Sequence, residues 1–246
     1  VYYRTVKPIN TLGEQYELAT VGGSVKFGVP FSDDDTVFFG IGYESTRITT
    51  STGLPNNYWL FRNPFAASAT SVPLTVGWKN DNRDSVITPT AGRMMRVNLE
   101  TSLLGDSRYA IANLQYQHFI PLGRKFSFMV NGELAWGEGI GSRPYPIFKN
   151  FFGGGLGTVR GFDQNSLGPV DVQGAYIGGT KRINLNSELY VPFPGSGNDR
   201  TLRLFGYADA GNVWGEDQTV SFDDLRASVG IGISWISPVG PLKLSY

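Results

Sequence analysis

The chain has 246 residues, no cysteine and a formal net charge of zero. The absence of cysteine excludes disulfides and thiolate metal sites, and the balanced charge gives no indication of a nucleic-acid partner. Glycine supplies 32 residues and aromatic residues 13% of the chain, a pairing typical of membrane barrels with aromatic girdles. No stretch approaches the roughly 18 apolar residues that a spanning helix needs. A chain of this length fits a single domain if that domain is a barrel.

Apolar and polar residues alternate with a period of two along almost the whole chain, and no helical periodicity accompanies them. In the first full strand, Ala19, Val21 and Val25 lie on one face, and Thr20 and Lys26 lie on the other. The same alternation recurs, in chain order, over 37–46, 72–79, 95–102, 112–117, 126–136, 182–191, 202–209 and 225–235. With partial strands at 1–7 and 242–246, the pattern predicts about eleven strands.

Three features favour a membrane barrel over a soluble β-sandwich, which also alternates. Several strands exceed the roughly 5 to 6 residues usual in soluble sheets, as a tilted membrane crossing requires. The polar face carries charges repeatedly, whereas the apolar face carries none within the strand cores. Short and long connections also alternate, as periplasmic and extracellular loops do in outer-membrane barrels. The short ones are 30–35, 122–124, 193–199 and 237–241, the long ones are 51–68, 139–176 and 214–223, and those at 83–92 and 104–106 depart from the rule. We therefore predict an all-β fold, a transmembrane antiparallel β-barrel.

The alternation also predicts which substitutions the barrel tolerates. Val229 and Ile231 lie on the apolar face, so arginine at either position is expected to disrupt assembly or stability. Ser228 and Gly230 lie on the polar face. We therefore expect a small polar residue at these two positions to be tolerated better than arginine at Val229 or Ile231.

Sites for catalysis, metals or cofactors find little support in the sequence. His118 is the only histidine, and the alternation places it on the apolar face of its strand. This position predicts a place in the interfacial girdle and not in a metal or Ser-His site. Asp33, Asp34 and Asp35 fall in a short turn, which is typical of a solvated edge. The glycines at 153–155 lack the lysine-hydroxyl pair of a phosphate loop. We expect no catalytic residue, no metal site and no cofactor.

The connection at 139–176 has an unusual composition and length. Hairpin loops have about 2 to 5 residues, and ordinary solvated loops are less rich in glycine and aromatic residues. The glycines at 153–157 allow the backbone to approach a surface closely, and Phe148, Phe151 and Phe152 need apolar surroundings. The segment is therefore either packed on itself as an extracellular loop or folded against another part of the molecule. Its central tetrapeptide is Val159, Arg160, Gly161 and Phe162.

This VRGF tetrapeptide is followed by a strand that ends in ELYVP (188–192). Four further segments accompany it in order: FKNFFGGG (148–155), NSLGP (165–169), DAGNVW (209–214) and WISPVGPL (235–242). Together they resemble the BamA family, the barrel subunits of the machines that assemble outer-membrane proteins. The resemblance covers essentially all of the chain.

The resemblance implies how the barrel is organised. Barrels of this family have roughly 16 strands and follow periplasmic POTRA domains, and their first and last strands meet at a seam that can open toward lipid. Against that pattern, this chain has about 11 to 12 strands, and the POTRA domains, the opening strands and the final strand are absent. We expect residues 1–246 to form one outer-membrane barrel domain that is incomplete at both ends and lacks both sides of the seam. Residues 139–176 are expected to form a long lumenal loop that carries the VRGF motif.

A specific contact is predicted for the motif. By the alternation, Glu188 and Asp209 lie on the polar face of neighbouring strands, and Arg160 is the single cation of the tetrapeptide. A guanidinium presents a planar fork of donors and can engage two carboxylates. We expect the loop to turn inward so that Arg160 docks on Glu188 and Asp209, as the resemblance also implies, with Gly161 allowing close approach and Phe162 packing beside it. The alternative is that Arg160 faces water at the barrel mouth.

Two functions are compatible with these observations. The first is a non-enzymatic insertase that assembles β-barrel proteins into the bacterial outer membrane by strand-edge pairing and local bilayer perturbation. Its expected partners are unfolded outer-membrane proteins, outer-membrane lipid and accessory assembly lipoproteins that bind through the periplasmic domains, with no nucleic acid. The second is a protein secretion pore of the same superfamily, with the long loop as a plug.

Overall fold

The structure, a computed structural model, describes residues 1–6, 16–50, 68–123, 125–172, 174–195, 201–237 and 240–246. Within these residues, eleven strands form one antiparallel sheet in which each strand pairs with its neighbours in sequence. The strands are β1 (Tyr2–Val6), β2 (Tyr16–Pro30), β3 (Asp35–Thr50), β4 (Ser68–Asp81), β5 (Gly92–Gly105), β6 (Tyr109–Leu122), β7 (Phe126–Gly139), β8 (Lys181–Pro192), β9 (Leu202–Trp214), β10 (Arg226–Ser237) and β11 (Gly240–Ser245). The predicted all-β fold with about eleven strands is confirmed.

The sheet is open in the described part of the chain, where β1 and β11 form its two edges. In the loops that the structure describes, two short 3₁₀ turns occur between strands, at Ile147–Lys149 and Phe222–Asp224. No helix among the described residues has the length and apolar character needed to cross a membrane.

The two faces of the sheet differ as the alternation predicts. Val229 and Ile231 on β10 point away from the concave face and are 80% and 69% exposed. Glu188 on β8 and Asp209 on β9 point into the concave face, and each is only 2% exposed. Successive side chains of a strand point to opposite faces, so one pleated sheet presents an apolar outer surface and a polar inner one. This is the arrangement that lipid outside and a hydrated lumen inside require.

The described connections follow the predicted alternation with the two departures already noted in the sequence: the one between β4 and β5 is long at the end with short connections, and the one between β5 and β6 is short at the other end. The longest one joins β7 to β8, and a shorter one joins β9 to β10, both at the same end of the sheet. Short connections join β2 to β3 and β6 to β7 at the opposite end. The predicted long connection at 51–68 lies outside the described residues except for Ser68, and the described residues also leave out 196–200 and 238–239.

The structure leaves no room for even a small side chain at Gly230, which the alternation did not predict. Gly230 lies on the inner face as predicted, but a Cβ built there would lie 2.5 Å from the hydroxyl oxygen of Tyr207 and would overlap the carbonyl oxygen of Tyr246. Its neighbour on the same face, Gly232, would place a Cβ against the Phe205 ring and against the carbonyl oxygen of Leu244. Real Cβ atoms do not come this close to backbone oxygens, so β10 accepts only glycine at these two positions without a shift of β11.

Candidate functional site: a loop docked on the inner face

The loop between β7 and β8 is folded on itself and lies inside the curve of the sheet. Short antiparallel bridges hold it, among them Gly153 with Leu167 and Phe151 with Gly179. Gly154 has a φ of +98°, and a Cβ there would lie 2.5 Å from the carbonyl oxygen of Asp163. The glycine run therefore allows a compact loop conformation that leaves no room for a side chain.

Arg160 leaves this loop and contacts the wall of the sheet. Its Nε and Nη2 donate to the two carboxylate oxygens of Asp209 at 2.6 and 2.7 Å. Its Nη1 donates to Glu188 Oε1 at 2.6 Å, and its backbone N–H donates to Asp209 Oδ2 at 3.1 Å. The side chains are buried, since Arg160 is 6% exposed. The structure thus brings together the three charged residues that the sequence singled out.

Aromatic rings of β9 cover one side of the guanidinium. The Arg160 Cζ atom lies 3.8 Å from the centroid of the Tyr207 ring and 5.8 Å from that of Phe205. A guanidinium stacks on an aromatic face while its planar edge stays free for carboxylates. Burial alone would lower the pKa of Arg160, but the hydrogen bonds and charges of Asp209 and Glu188 outweigh it and raise that pKa above its ordinary value.

The other members of the tetrapeptide have separate structural roles. Val159 is buried, and its Cγ2 lies 2.9 Å from the position that a Cβ on Gly211 would occupy. Gly161 is exposed with a φ of +82°, so the left-handed conformation is what requires glycine there. Phe162 is half-buried and lines a cavity of about 2020 Å³ beside the loop. The rings placed over the guanidinium belong to Tyr207 and Phe205 and not to Phe162.

Asn186, which the sequence analysis did not single out, joins the loop to the wall. Its Nδ2 donates to the Thr158 carbonyl at 2.7 Å and to Asp209 Oδ1 at 2.9 Å. Its Oδ1 accepts from the Nδ2 atoms of Asn131 and Asn184 at 3.1 and 3.0 Å. Both donors and both acceptor sites of this amide are used. The sequence indicates this role only through position: Asn186 lies two residues before Glu188 on β8, so both side chains point to the inner face.

Replacing Asn186 with leucine is expected to destabilise the protein by about 1 to 3 kcal/mol, because it leaves buried polar groups of the loop and the wall without a partner. The free energy of unfolding in urea, measured for the protein in lipid vesicles, checks this. The control is Asn98→Leu, a half-buried asparagine on the inner face of β5 that lies outside this network. Equal losses for the two variants would contradict a special role for Asn186.

The loop has a second ionic anchor on a distant part of the wall. Lys149 Nζ lies 3.0 Å from Glu44 Oε2 on β3 and 3.0 Å from Glu100 Oε1 on β5. It also lies over the Tyr109 ring, 5.3 Å from the centroid. Burial would lower the pKa of Lys149, but Tyr109, Glu100 and Glu44 together raise it well above its ordinary value. The loop therefore spans the lumen from β3 and β5 to β8 and β9.

Residues considered for other chemistry lie apart from this site. His118 faces outward on β6, with its Nδ1 3.3 Å from the Tyr116 hydroxyl. Asp35 accepts from Ser32, Trp78 and Asn80 at the β2–β3 turn. Among the residues that the structure describes, no group of three or more histidine, aspartate or glutamate side chains is arranged to hold a metal ion.

An antiparallel sheet with an apolar outer face, a polar inner face and a loop docked within its curve defines a transmembrane β-barrel protein. The sequence model of the Omp85 superfamily domain matches residues 1–246. The chain belongs to the Omp85 superfamily, and the predicted resemblance is confirmed.

Two curated relatives and one solved structure illustrate the similarity. The chain is 33% identical to "Outer membrane protein assembly factor BamA" of Neisseria meningitidis serogroup B, over 100% of this chain and 36% of that protein. It is 30% identical to "Sorting and assembly machinery component 50 homolog" of Homo sapiens, over 68% of this chain and 38% of that protein. The crystal structure of BamA from Haemophilus ducreyi lacking POTRA domains 1-3 superposes with a TM-score of 0.88 at 23% identity, over 99% of this chain and 53% of that chain.

These similarities bear on the predicted fold and location. The structural match covers nearly the whole chain and supports the partial-barrel fold. The predicted location in the bacterial outer membrane is confirmed by the match to an outer-membrane relative along the whole chain. The chain spans less than half the length of the two curated relatives.

Proposed function

We propose that this domain takes part in the assembly of β-barrel proteins into the outer membrane. The observation that carries the proposal is the 33% identity, along the whole chain, to a relative named as an outer-membrane assembly factor. A second relative, 30% identical, is named as a component of a sorting and assembly machinery. Residues 1–246 act in this proposal as one barrel domain, without catalytic residues or a cofactor.

The physical basis of assembly is the cost of unpaired backbone in lipid. A strand that enters the hydrocarbon region must pair its N–H and C=O groups, because each unsatisfied group costs several kcal/mol there. A sheet edge offers those partners and can template an incoming strand. The substrates are therefore unfolded outer-membrane proteins, and lipid is the second partner. Accessory assembly lipoproteins would bind through periplasmic domains.

The docked loop has a place in this proposal as an internal brace. Residues 139–176 form the lumenal loop, and its tetrapeptide from Val159 to Phe162 is the functional motif. Arg160 ties that motif to Glu188 and Asp209 by four hydrogen bonds. Since Lys149 holds the loop to β3 and β5, the loop fixes the relative positions of two distant parts of the wall. An assembly barrel needs such a brace because its edges must separate from their partners without loss of the fold.

Reconstitution tests the proposed function against the secretion-pore alternative. The full-length protein is inserted into lipid vesicles, and a urea-unfolded eight-stranded outer-membrane protein is diluted into them. Folding of the added protein, followed by its heat-modifiable gel mobility, is expected to be faster than in vesicles of the same lipid without the insertase. No acceleration, together with large single-channel currents that a translocating polypeptide blocks, would instead support a secretion pore.

A further inference from the structure

Glu188 holds a second cation besides Arg160. Lys243 on β11 places its Nζ 2.6 Å from Glu188 Oε1 and 2.7 Å from Oε2. The Tyr190 hydroxyl also donates to Glu188, and Lys243 Nζ lies 3.2 Å from that hydroxyl oxygen. The carboxylate is almost fully buried, whereas the lysine side chain is 44% exposed. One buried carboxylate is therefore shared between a loop and a strand at the edge of the described sheet.

The contact depends on the shape of the sheet at this edge. β11 is separated from β8 by β9 and β10, a distance along a flat sheet of about 14 Å at roughly 4.8 Å per strand. Lys243 spans it because the sheet curls, and its Nζ passes 4.7 Å from the centroid of the Phe205 ring on β9. The curl is possible because Gly230 and Gly232 present no side chain on the inner face of β10. The lysine thus reaches across two strands.

The four charges form an alternating series from Asp209 through Arg160 and Glu188 to Lys243. The two cations in it meet at the same oxygen, since Arg160 Nη1 and Lys243 Nζ each lie 2.6 Å from Glu188 Oε1. Two like charges bound to one oxygen atom are close enough to repel each other. Each cation therefore lowers the attraction of the shared carboxylate for the other. The hydrogen bond from the Tyr190 hydroxyl holds the carboxylate in place without Lys243.

We propose that Lys243 is a positioning residue that couples β11 to the docked loop with opposite sign, so that loosening one of the two contacts strengthens the other. Release of β11 from Glu188 leaves that carboxylate to Arg160 and tightens the loop against the wall. Release of the loop leaves the carboxylate to Lys243 and tightens β11. Coupling between sites is reciprocal, so the two effects must be equal in size. The loop would thereby stay fixed to the wall when β11 moves.

Hydrogen exchange of the full-length protein in lipid bilayers tests the coupling. One probe is the Arg160 amide, which donates to Asp209, and the other is the pair of backbone hydrogen bonds between Ile231 and Tyr246. In Lys243→Met, the β11 amides are expected to exchange faster. The loop peptide around Arg160 is expected to exchange about fivefold more slowly, which is the lower end of the range usual for coupled sites. Lys243→Arg keeps the charge and should exchange like the unaltered protein. Lys125→Met, at an exposed lysine of the β6–β7 turn, controls for the loss of one charge.

A second variant moves β11 without removing a charge. Gly232→Ala presses on the Leu244 carbonyl of β11 and also on the Phe205 ring. By moving β11 away from β10 it should also tighten the loop. Gly206→Ala is the matched control, because the nearest atom to a Cβ there is the Gly230 carbonyl oxygen at 3.9 Å. Faster or unchanged exchange of the loop in both Lys243→Met and Gly232→Ala would overturn the proposal, as would a Lys243→Arg variant that behaves like Lys243→Met. These outcomes do not depend on whether the protein accelerates folding of a substrate.

Discussion

Replacing Arg160 with methionine is expected to destabilise the protein by about 3 kcal/mol. Loss of one partner from a buried ion pair costs about 3 to 5 kcal/mol because the remaining charge is left without compensation, and water in the lumen moves the figure to the low end. Methionine retains much of the apolar stem, which leaves the contacts with the Tyr207 and Phe205 rings partly in place. The measurement is the free energy of unfolding in urea, together with protease cleavage of the loop in intact vesicles.

The two carboxylates differ in how much they depend on Arg160. Without the guanidinium, Glu188 still has a charged partner, Lys243, besides Tyr190. The described donors left to the Asp209 side chain are neutral: the amide of Asn186 and the backbone N–H of residue 160. Asp209→Asn should therefore relieve the defect of Arg160→Met, and Glu188→Gln should relieve it much less. Equal rescue by both variants would contradict the inference that Asp209 depends on Arg160 more than Glu188 does.

A matched arginine provides the control for Arg160→Met. Arg182 also lies in the lumen and pairs with Glu133 at 3.2 Å, but both side chains are about one quarter exposed. A partly exposed pair contributes less than a fully buried one, because water screens it and hydrates the charge that is left, so Arg182→Met should cost less than Arg160→Met. If the two variants lose the same stability, burial of the Arg160 site has no energetic consequence and the brace model fails.

The docking of Arg160 could be inferred from the sequence because it rests on a local rule. Strand alternation assigns each residue to one face without knowledge of the fold, and it placed Glu188 and Asp209 on the inner face of adjacent strands. A lone arginine in a loop that must turn inward has few other partners. The same rule would have placed Glu44 and Glu100 inward as partners for Lys149, but it does not say that these strands lie within reach of the same loop.

The parts that sequence reasoning missed depend on the curl of the sheet. Alternation assigns Gly230 to the polar face, where a small residue should fit, but the obstacle is the backbone of β11 and the ring of Tyr207. Lys243 and Glu188 lie on strands that are not neighbours, and no spacing in the sequence predicts their contact. Asn186 was overlooked because a single lumenal amide is unremarkable until its four partners are known. Such features depend on distances between distant elements, which a period-two pattern does not encode.

Replacing Val25 with arginine is expected to cost about 2 to 4 kcal/mol, because this is the cost of a charged residue on the lipid face near the bilayer midplane. Val25 lies close to the middle of β2 and is 54% exposed on the outer face. Ser24 precedes it, is also exposed and points into the lumen. Ser24→Arg is therefore the control, since an arginine there is hydrated and should change stability little. The free energy of unfolding in urea from lipid vesicles distinguishes the two. Equal losses would mean that the outer face of β2 does not contact lipid, and the assignment of faces across the sheet would have to be reversed or abandoned.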